Sequence, residues 1–152
     1  MEELRKILKG VYDKWGAETV KAIITKIDSY PVKWRGTLRR SISYSQPAED
    51  QIDFNMADYG RFVDEGVGQF GPRKQRIPRQ SIPKIAHYLK PWAKSKGLNP
   101  YAVATNIVKR GGIKPRPFFN SVIEARVPQL GDAVVKAHEE YISKKIDEGN
   151  KQ

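Results

Sequence analysis

The chain contains no cysteine. That excludes disulfides, thiolate metal sites and cysteine nucleophiles together, and it suits a reducing compartment. Long apolar runs are missing too. None approaches the roughly 20 residues that a membrane-spanning helix needs. Charge breaks up the first residues, Met1-Glu2-Glu3-Leu4-Arg5-Lys6, so they do not read as a signal peptide. The expectation is a soluble protein with no cleaved leader and no membrane partner. A further absence is local: from Gly66 to Ile123 there is no Asp or Glu.

That acid-free segment holds 12 of the 28 Lys and Arg, while the remaining 16 stand against all 17 acids. The net charge of +11 is therefore the property of one central stretch. Such a stretch repels copies of itself and attracts phosphates or an acidic protein face. The plainer alternative is a set of solvated side chains on an ordinary surface. With 152 residues and 39% hydrophobic content, the chain has material for one core and one domain, expected over residues 1–147 with a frayed end at 148–152.

Periodicity defines the elements. Leu4, Ile7, Leu8, Val11, Tyr12, Trp15, Thr19, Val20, Ile23, Ile24 and Ile27 recur at spacings of three and four, which predicts a long amphipathic helix ending at Ser29-Tyr30-Pro31. Ser41–Tyr44 and Gln51–Met56 alternate, and the polar stretch Gln46–Asp50 between them predicts an antiparallel hairpin. One or two further short strands are expected between Tyr59 and Ile77. Residues 66–80 read as an extended, weakly hydrophobic loop or arm. Ser81–Lys96 is in helical phase, with a kink expected at Pro91. Asn99 and Pro100 open the next helix, and Lys109-Arg110-Gly111 closes it. A last helix begins near Phe118, is expected to break at Pro128, and resumes to the C-terminus. The fold class is α+β, with a long N-terminal helix and C-terminal helices packed on a small antiparallel sheet.

Chemistry is sparse. Gly66-Val67-Gly68-Gln69-Phe70-Gly71 matches G-x-G-x-x-G, but the sequence runs on into Pro72-Arg73-Lys74-Gln75-Arg76-Ile77-Pro78. Dinucleotide binding needs a helix there, so a tight turn is the better use of the glycines. Asp58, Asp64 and Glu65 read as structural ion-pair partners rather than acid–base groups or magnesium ligands. His87 and His138 have no partner at metal-ligand spacing, and no serine sits in a nucleophile elbow. The three tryptophans fit core and interface roles. No catalytic residue, cofactor site or metal site is expected. Phe70, Tyr88, Trp92, Tyr101, Phe118 and Phe119 lie among the central cations, a mixture that also suits single-stranded nucleic acid. No helix-turn-helix, zinc finger or RNA-recognition signature accompanies them.

Three motifs, read in order, resemble one family. They are Gly36-Thr37-Leu38-Arg39-Arg40-Ser41-Ile42, Tyr59-Gly60-Arg61-Phe62-Val63-Asp64-Glu65-Gly66-Val67-Gly68, and Gly112-Ile113-Lys114-Pro115-Arg116-Pro117-Phe118-Phe119. Together they are similar to the tail-completion or head–tail joining (neck) proteins of tailed bacteriophages. That family shows a T-G-x-L-x-x-S-I-like turn, a Y-x-x-[FY]-V-E-x-G-T-like loop and a G-[IV]-x-x-R-P-F-like helix start. The likeness spans about residues 4–145. Asp64-Glu65 stands where a single Glu followed by an aromatic is common, Val67 where Thr is common, and the insert from Ile77 to Arg110 is long.

The resemblance implies a non-enzymatic virion protein. It implies a hexameric or dodecameric homo-oligomeric ring joining the portal or adaptor to the tail or other neck proteins. Genomic DNA would pass through the channel without sequence-specific recognition, and assembly would take place in the host cytoplasm. A basic nucleic-acid-binding domain is the alternative. Two site expectations follow. Arg73, Lys74, Arg76 and Arg79 carry intermolecular contacts, against an acidic face of a neighbouring copy (Glu49, Asp50, Asp53, Glu139 and Glu140 are candidates) or another neck protein. Arg116 pairs with Asp64 or Glu65 to tie the central loop to the last helix.

Overall fold

The computed structural model describes residues 1–31 and 35–152. Trp34, one of the three tryptophans, lies outside them. The frame is two long helices, α1 (Glu2–Asp28) and α6 (Asn120–Asn150), packed antiparallel. Between them in sequence come α2 (Arg35–Ser41), the hairpin β1 (Ser43–Ala48) and β2 (Gln51–Asn55), α3 (Gly60–Glu65), β3 (Val67–Gly68), a 3-10 turn at Arg79–Ser81, α4 (Ile82–Ser95), α5 (Pro100–Lys109) and β4 (Gly112–Ile113). The α+β class is as the periodicity indicates.

The stripe on α1 does what its spacing requires. Trp15, Thr19, Ile23 and Ile27 are buried. Ile23 and Ile27 enter a core with Leu38, Ile42, Tyr59, Leu89, Phe118 and Phe119. Burying a residue such as Phe118, which is 0% exposed, contributes about 2–3 kcal/mol. Trp15 Nε1 donates to the Arg126 carbonyl at 2.9 Å. The Arg126 side chain donates to Thr19 Oγ1 at 2.9 Å and faces Glu18 at 3.6 Å. At the far end of the pair, Glu3 bridges Lys144 and Lys145. Those two hydrogen-bonded ammonium groups, Lys144 first, hold the Glu3 carboxyl down to about 2.

Several expectations change in detail. Ser41-Ile42 does not begin a strand: the first motif forms α2 and turns Leu38 into the core. β1 runs on to Ala48, so Glu49-Asp50 alone make the hairpin turn, with Ala48 opposite Gln51. The extra strand expected between Tyr59 and Ile77 is β3, but it pairs with β4 in a separate ladder instead of widening the hairpin. α4 is helical on both sides of Pro91, the position where a kink is expected. α6 continues through Pro128, although that residue cannot donate to the Glu124 carbonyl. Packing against α1 on both sides of the proline, at Arg126 and at the buried Ala137, outweighs the lost bond. The end expected to fray is helical to Asn150, with Glu148 placed against Lys144 and Lys145. α5 is as read: Asn99 Oδ1 accepts from the N–H groups of Tyr101 and Ala102, and Gly111 leaves the helix at φ +86°.

Candidate functional site

The three motifs lie far apart in sequence and meet in one place. Ser41, at the end of α2, donates to the Leu38 carbonyl at 2.6 Å and accepts from the Ala57 N–H at 2.9 Å, just ahead of the second motif. Gly60 packs so closely on Leu38 Cδ1 and Met56 Sδ that a Cβ would stand 2.7 Å from each. α3 then delivers Asp64 to the start of α6. Its carboxylate is 6% exposed. Oδ1 accepts from the N–H groups of Phe118 at 2.9 Å and Phe119 at 3.0 Å, and Oδ2 reaches that of Asn120 at 3.4 Å. Asp64 therefore caps the start of α6 from another element, 54 to 56 residues away, with Phe119 itself in the N-cap position. A carboxylate suits that position because the first N–H groups of a helix have no partner within it and carry its positive end.

The expected link between the second and third motifs exists, but Arg116 does not make it as an ion pair. Glu65 faces Arg61 at 3.2 Å, Asp64 is occupied by backbone donors, and the Arg116 side chain is exposed. Arg116 contributes its backbone instead, donating to the Val63 carbonyl at 2.8 Å. Tyr30 adds a further tie by donating to the Pro117 carbonyl at 2.8 Å. The β3–β4 ladder completes the join, with Val67 opposite Ile113 and Gly68 opposite Gly112. Gly66 and Gly68 take φ of +79° and +71°. A Cβ on Gly66 would meet the Ile113 and Phe70 carbonyls within 2.9 Å. The glycine pattern thus serves a tight turn and a close backbone approach.

The arm is less extended than its composition suggests. Up to Gly71 it is held by β3, by the Gln69 N–H to the Gly111 carbonyl and by a turn from Gly68 to Gly71. Beyond that, Arg73, Lys74, Arg76 and Arg79 are all exposed. Lys74 sits in the left-handed region at φ +49°. Arg76 and Arg79 face Lys109 and Arg110 across a cleft of about 470 Å³.

A second cleft, of about 480 Å³, opens between the second and third motifs and helices α4 and α5. Tyr59, Val63, Leu89, Trp92, Val103 and Ile107 give it apolar walls, and Arg110, Lys114 and Arg116 stand at its edge. No carboxylate lines either cleft. Among the described residues, no cation between Gly66 and Ile123 forms an ion pair; the paired ones, Arg5, Lys6, Arg39, Arg61, Arg126, Lys136, Lys144 and Lys145, all lie outside. Sequence reading found the charge imbalance but not this cleft, whose walls come from four separate elements.

The two histidines lie on different helices. His138 Nδ1 lies 2.9 Å from the Val134 carbonyl one turn back, and His87 stands edge-on to Tyr88. No group of three or more His, Asp or Glu gathers among the described residues in a way that could hold a metal ion. What this surface can do chemically is bind: an apolar cleft, a bank of uncompensated cations and a rigid loop held from inside by Asp64. Comparison with protein-family models, curated proteins and solved structures finds no match for this chain.

Proposed function

We propose that the chain is a structural protein of a tailed-bacteriophage virion, assembled as a homo-oligomeric ring at the neck, where it joins the portal or its adaptor to the tail. The carrying observation is the convergence of the three motifs that resemble that family. Ser41 reaches Ala57, Gly60 packs on Leu38, and Asp64 caps the helix behind Phe118-Phe119. Residues that work together as one unit support a resemblance better than scattered matches do. The central cations that form no ion pair among the described residues suit a protein whose partners complete it. DNA passes through the ring by shape and charge alone, and assembly takes place in the host cytoplasm. No turnover is assigned to it.

The test is electron microscopy of virions carrying an epitope-tagged copy. Label should appear at the head–tail junction, and infections lacking the chain should yield filled heads and unattached tails. Label elsewhere, or normal joining without the chain, removes the reading.

One observation favours a second reading, a basic nucleic-acid-binding domain. Tyr101 is 57% exposed on α5, within the acid-free segment, where a base could stack on it. That reading requires retardation of single-stranded oligonucleotides that weakens steeply with salt and is lost in Tyr101→Ala.

A further inference from the structure

Two unpartnered features of this chain complement each other. One is the apolar cleft edged by Arg110, Lys114 and Arg116. The other lies on α6. Of the eight large hydrophobic residues that stand exposed among the described residues, four are on that helix: Val127 at 51%, Val135 at 57%, Ile142 at 54% and Ile146 at 57%. Their spacings of eight, seven and four residues put them within about 100° of one another around the helix. Arg126, Ala133 and Ala137, which face α1, are centred roughly 160° away. α6 therefore carries two apolar faces, and α1 covers only one. Along one edge of the open face run the exposed carboxylates Asp132 and Glu139, each one turn from Val135 and the second one turn from Ile142.

We infer that the open face of α6 in one copy docks in the α4–α5 cleft of the next copy. Val135, Ile142 and Ile146 would enter the apolar walls as helix-in-groove anchors, while Asp132 and Glu139 face Arg110, Lys114 and Arg116. The charges argue for this occupant. The cleft has cations and no acid, so it repels another cleft. An apolar stripe with carboxylates on its edge supplies what the cleft lacks. Nucleic acid is the poorer fit, because the cleft offers a recessed apolar volume beside its cations, whereas single strands use exposed aromatic platforms along a charged track. The contact is heterologous, since each copy offers a different surface on each side, and contacts of that kind build rings when they close. The inference rests on the proposed ring for closure alone; the pairwise contact stands or falls independently.

Two variants with non-overlapping changes test it. The cleft variant is Arg110→Glu with Lys114→Glu and Arg116→Glu. The stripe variant is Val135→Lys with Ile142→Lys. All five positions are exposed, and circular dichroism with thermal melts checks that both fold. By light scattering, the unaltered chain should assemble, and each variant alone should stay monomeric, with self-association weakened at least ~10-fold. Mixed, the two should form a one-to-one complex and nothing larger, because only one intact cleft and one intact stripe remain between them. A cross-link checks the contact without charge reversal. The chain has no cysteine, so Asn106→Cys in one copy and Ile146→Cys in another should give a mixed disulfide that neither gives alone. A cleft variant that still assembles would mean that the stripe pairs with itself. A mixture that stays monomeric, or an unaltered chain that never self-associates, would equally overturn the inference. Retardation of oligonucleotides that depends on the three cleft cations, without self-association, would assign the cleft to nucleic acid instead. Failure of neck labelling in virions would remove the proposed function while leaving these results intact.

Discussion

The helical frame and the central segment handle charge in opposite ways. Along α1 and α6, Glu3 holds Lys144 and Lys145, Glu18 faces Arg126, and Glu140 faces Lys136. Between Gly66 and Ile123 no cation has an acidic partner within the described chain. Yet this segment is not loose. Asp64, the β3–β4 ladder and the backbone bond from Arg116 to Val63 secure it at its start and its end. The contact between α1 and α6 is thus closed in both packing and charge, whereas the central segment is secured in packing alone. A rigid surface with uncompensated charge is suited to binding, because little order has to be gained when a partner arrives.

The sharpest way to break this contrast is to remove the inner tie. Asp64→Ala takes away the carboxylate that accepts from the Phe118 and Phe119 N–H groups and removes the cap of α6. It should cost about 3 kcal/mol in urea unfolding. Asp64→Asn keeps one accepting oxygen and should cost less. Gly112→Ala comes next. Gly112 has φ +132°, and a Cβ would run into the Val67 carbonyl. The ladder should open at a cost of about 2 kcal/mol, with faster amide exchange at residues 67–69.

Reversing Arg73, Lys74, Arg76 and Arg79 to Glu should do the opposite of the Asp64 change. The four side chains are exposed and outside every ion pair of the described residues. Stability should stay within about 0.5 kcal/mol, while incorporation into virions falls and heads and tails fail to join. Normal incorporation would make the arm a passive solvated loop.

The smallest effect belongs to the frame. The folded-state pKa of Glu3, about 2, lies below its ordinary value of 4.5. Its attraction for Lys144 and Lys145 is therefore fully present above pH 4.5 and is lost as pH falls through about 2. The raised Lys144 and Lys145 act at the other end: their contribution is complete below 10.5 and is lost only as pH rises above it. Lys144 and Lys145 are exposed and Glu3 is only half-buried, so Glu3→Gln should shift the acid limb of a pH–stability profile only slightly, and less at high salt.

The sequence made some parts of this comparison legible and hid others. The α1 stripe and the Asn99 and Gly111 boundaries of α5 are local patterns that form where periodicity or punctuation indicates, and the alternating hairpin forms with its first strand displaced to Ser43–Ala48. Pro128 misleads because its local cost is outweighed by contacts from a helix about 110 residues away. A separation of 54 to 56 residues likewise hides the role of Asp64. Capping residues are recognised next to the helix they cap, and here the acceptor comes from a different element. Arg116 in one motif and the acids Asp64 and Glu65 in another read as an ion pair, but the nearer need was for acceptors at helix N–H groups, which Asp64 supplied. The cleft has no signature of its own, because Tyr59, Leu89, Trp92 and Ile107 each look like ordinary core positions until the chain folds.

The central claim is that the counter-charges of the basic segment lie on another molecule. Light scattering of the unaltered chain across ionic strength tests it most directly. Raising ionic strength from about 0.1 M to about 1 M shortens the screening length from about 10 Å to about 3 Å. The account predicts an assembly of several copies at the lower value that dissociates toward monomer at the higher one. A monomer throughout, or an assembly indifferent to salt, would contradict it.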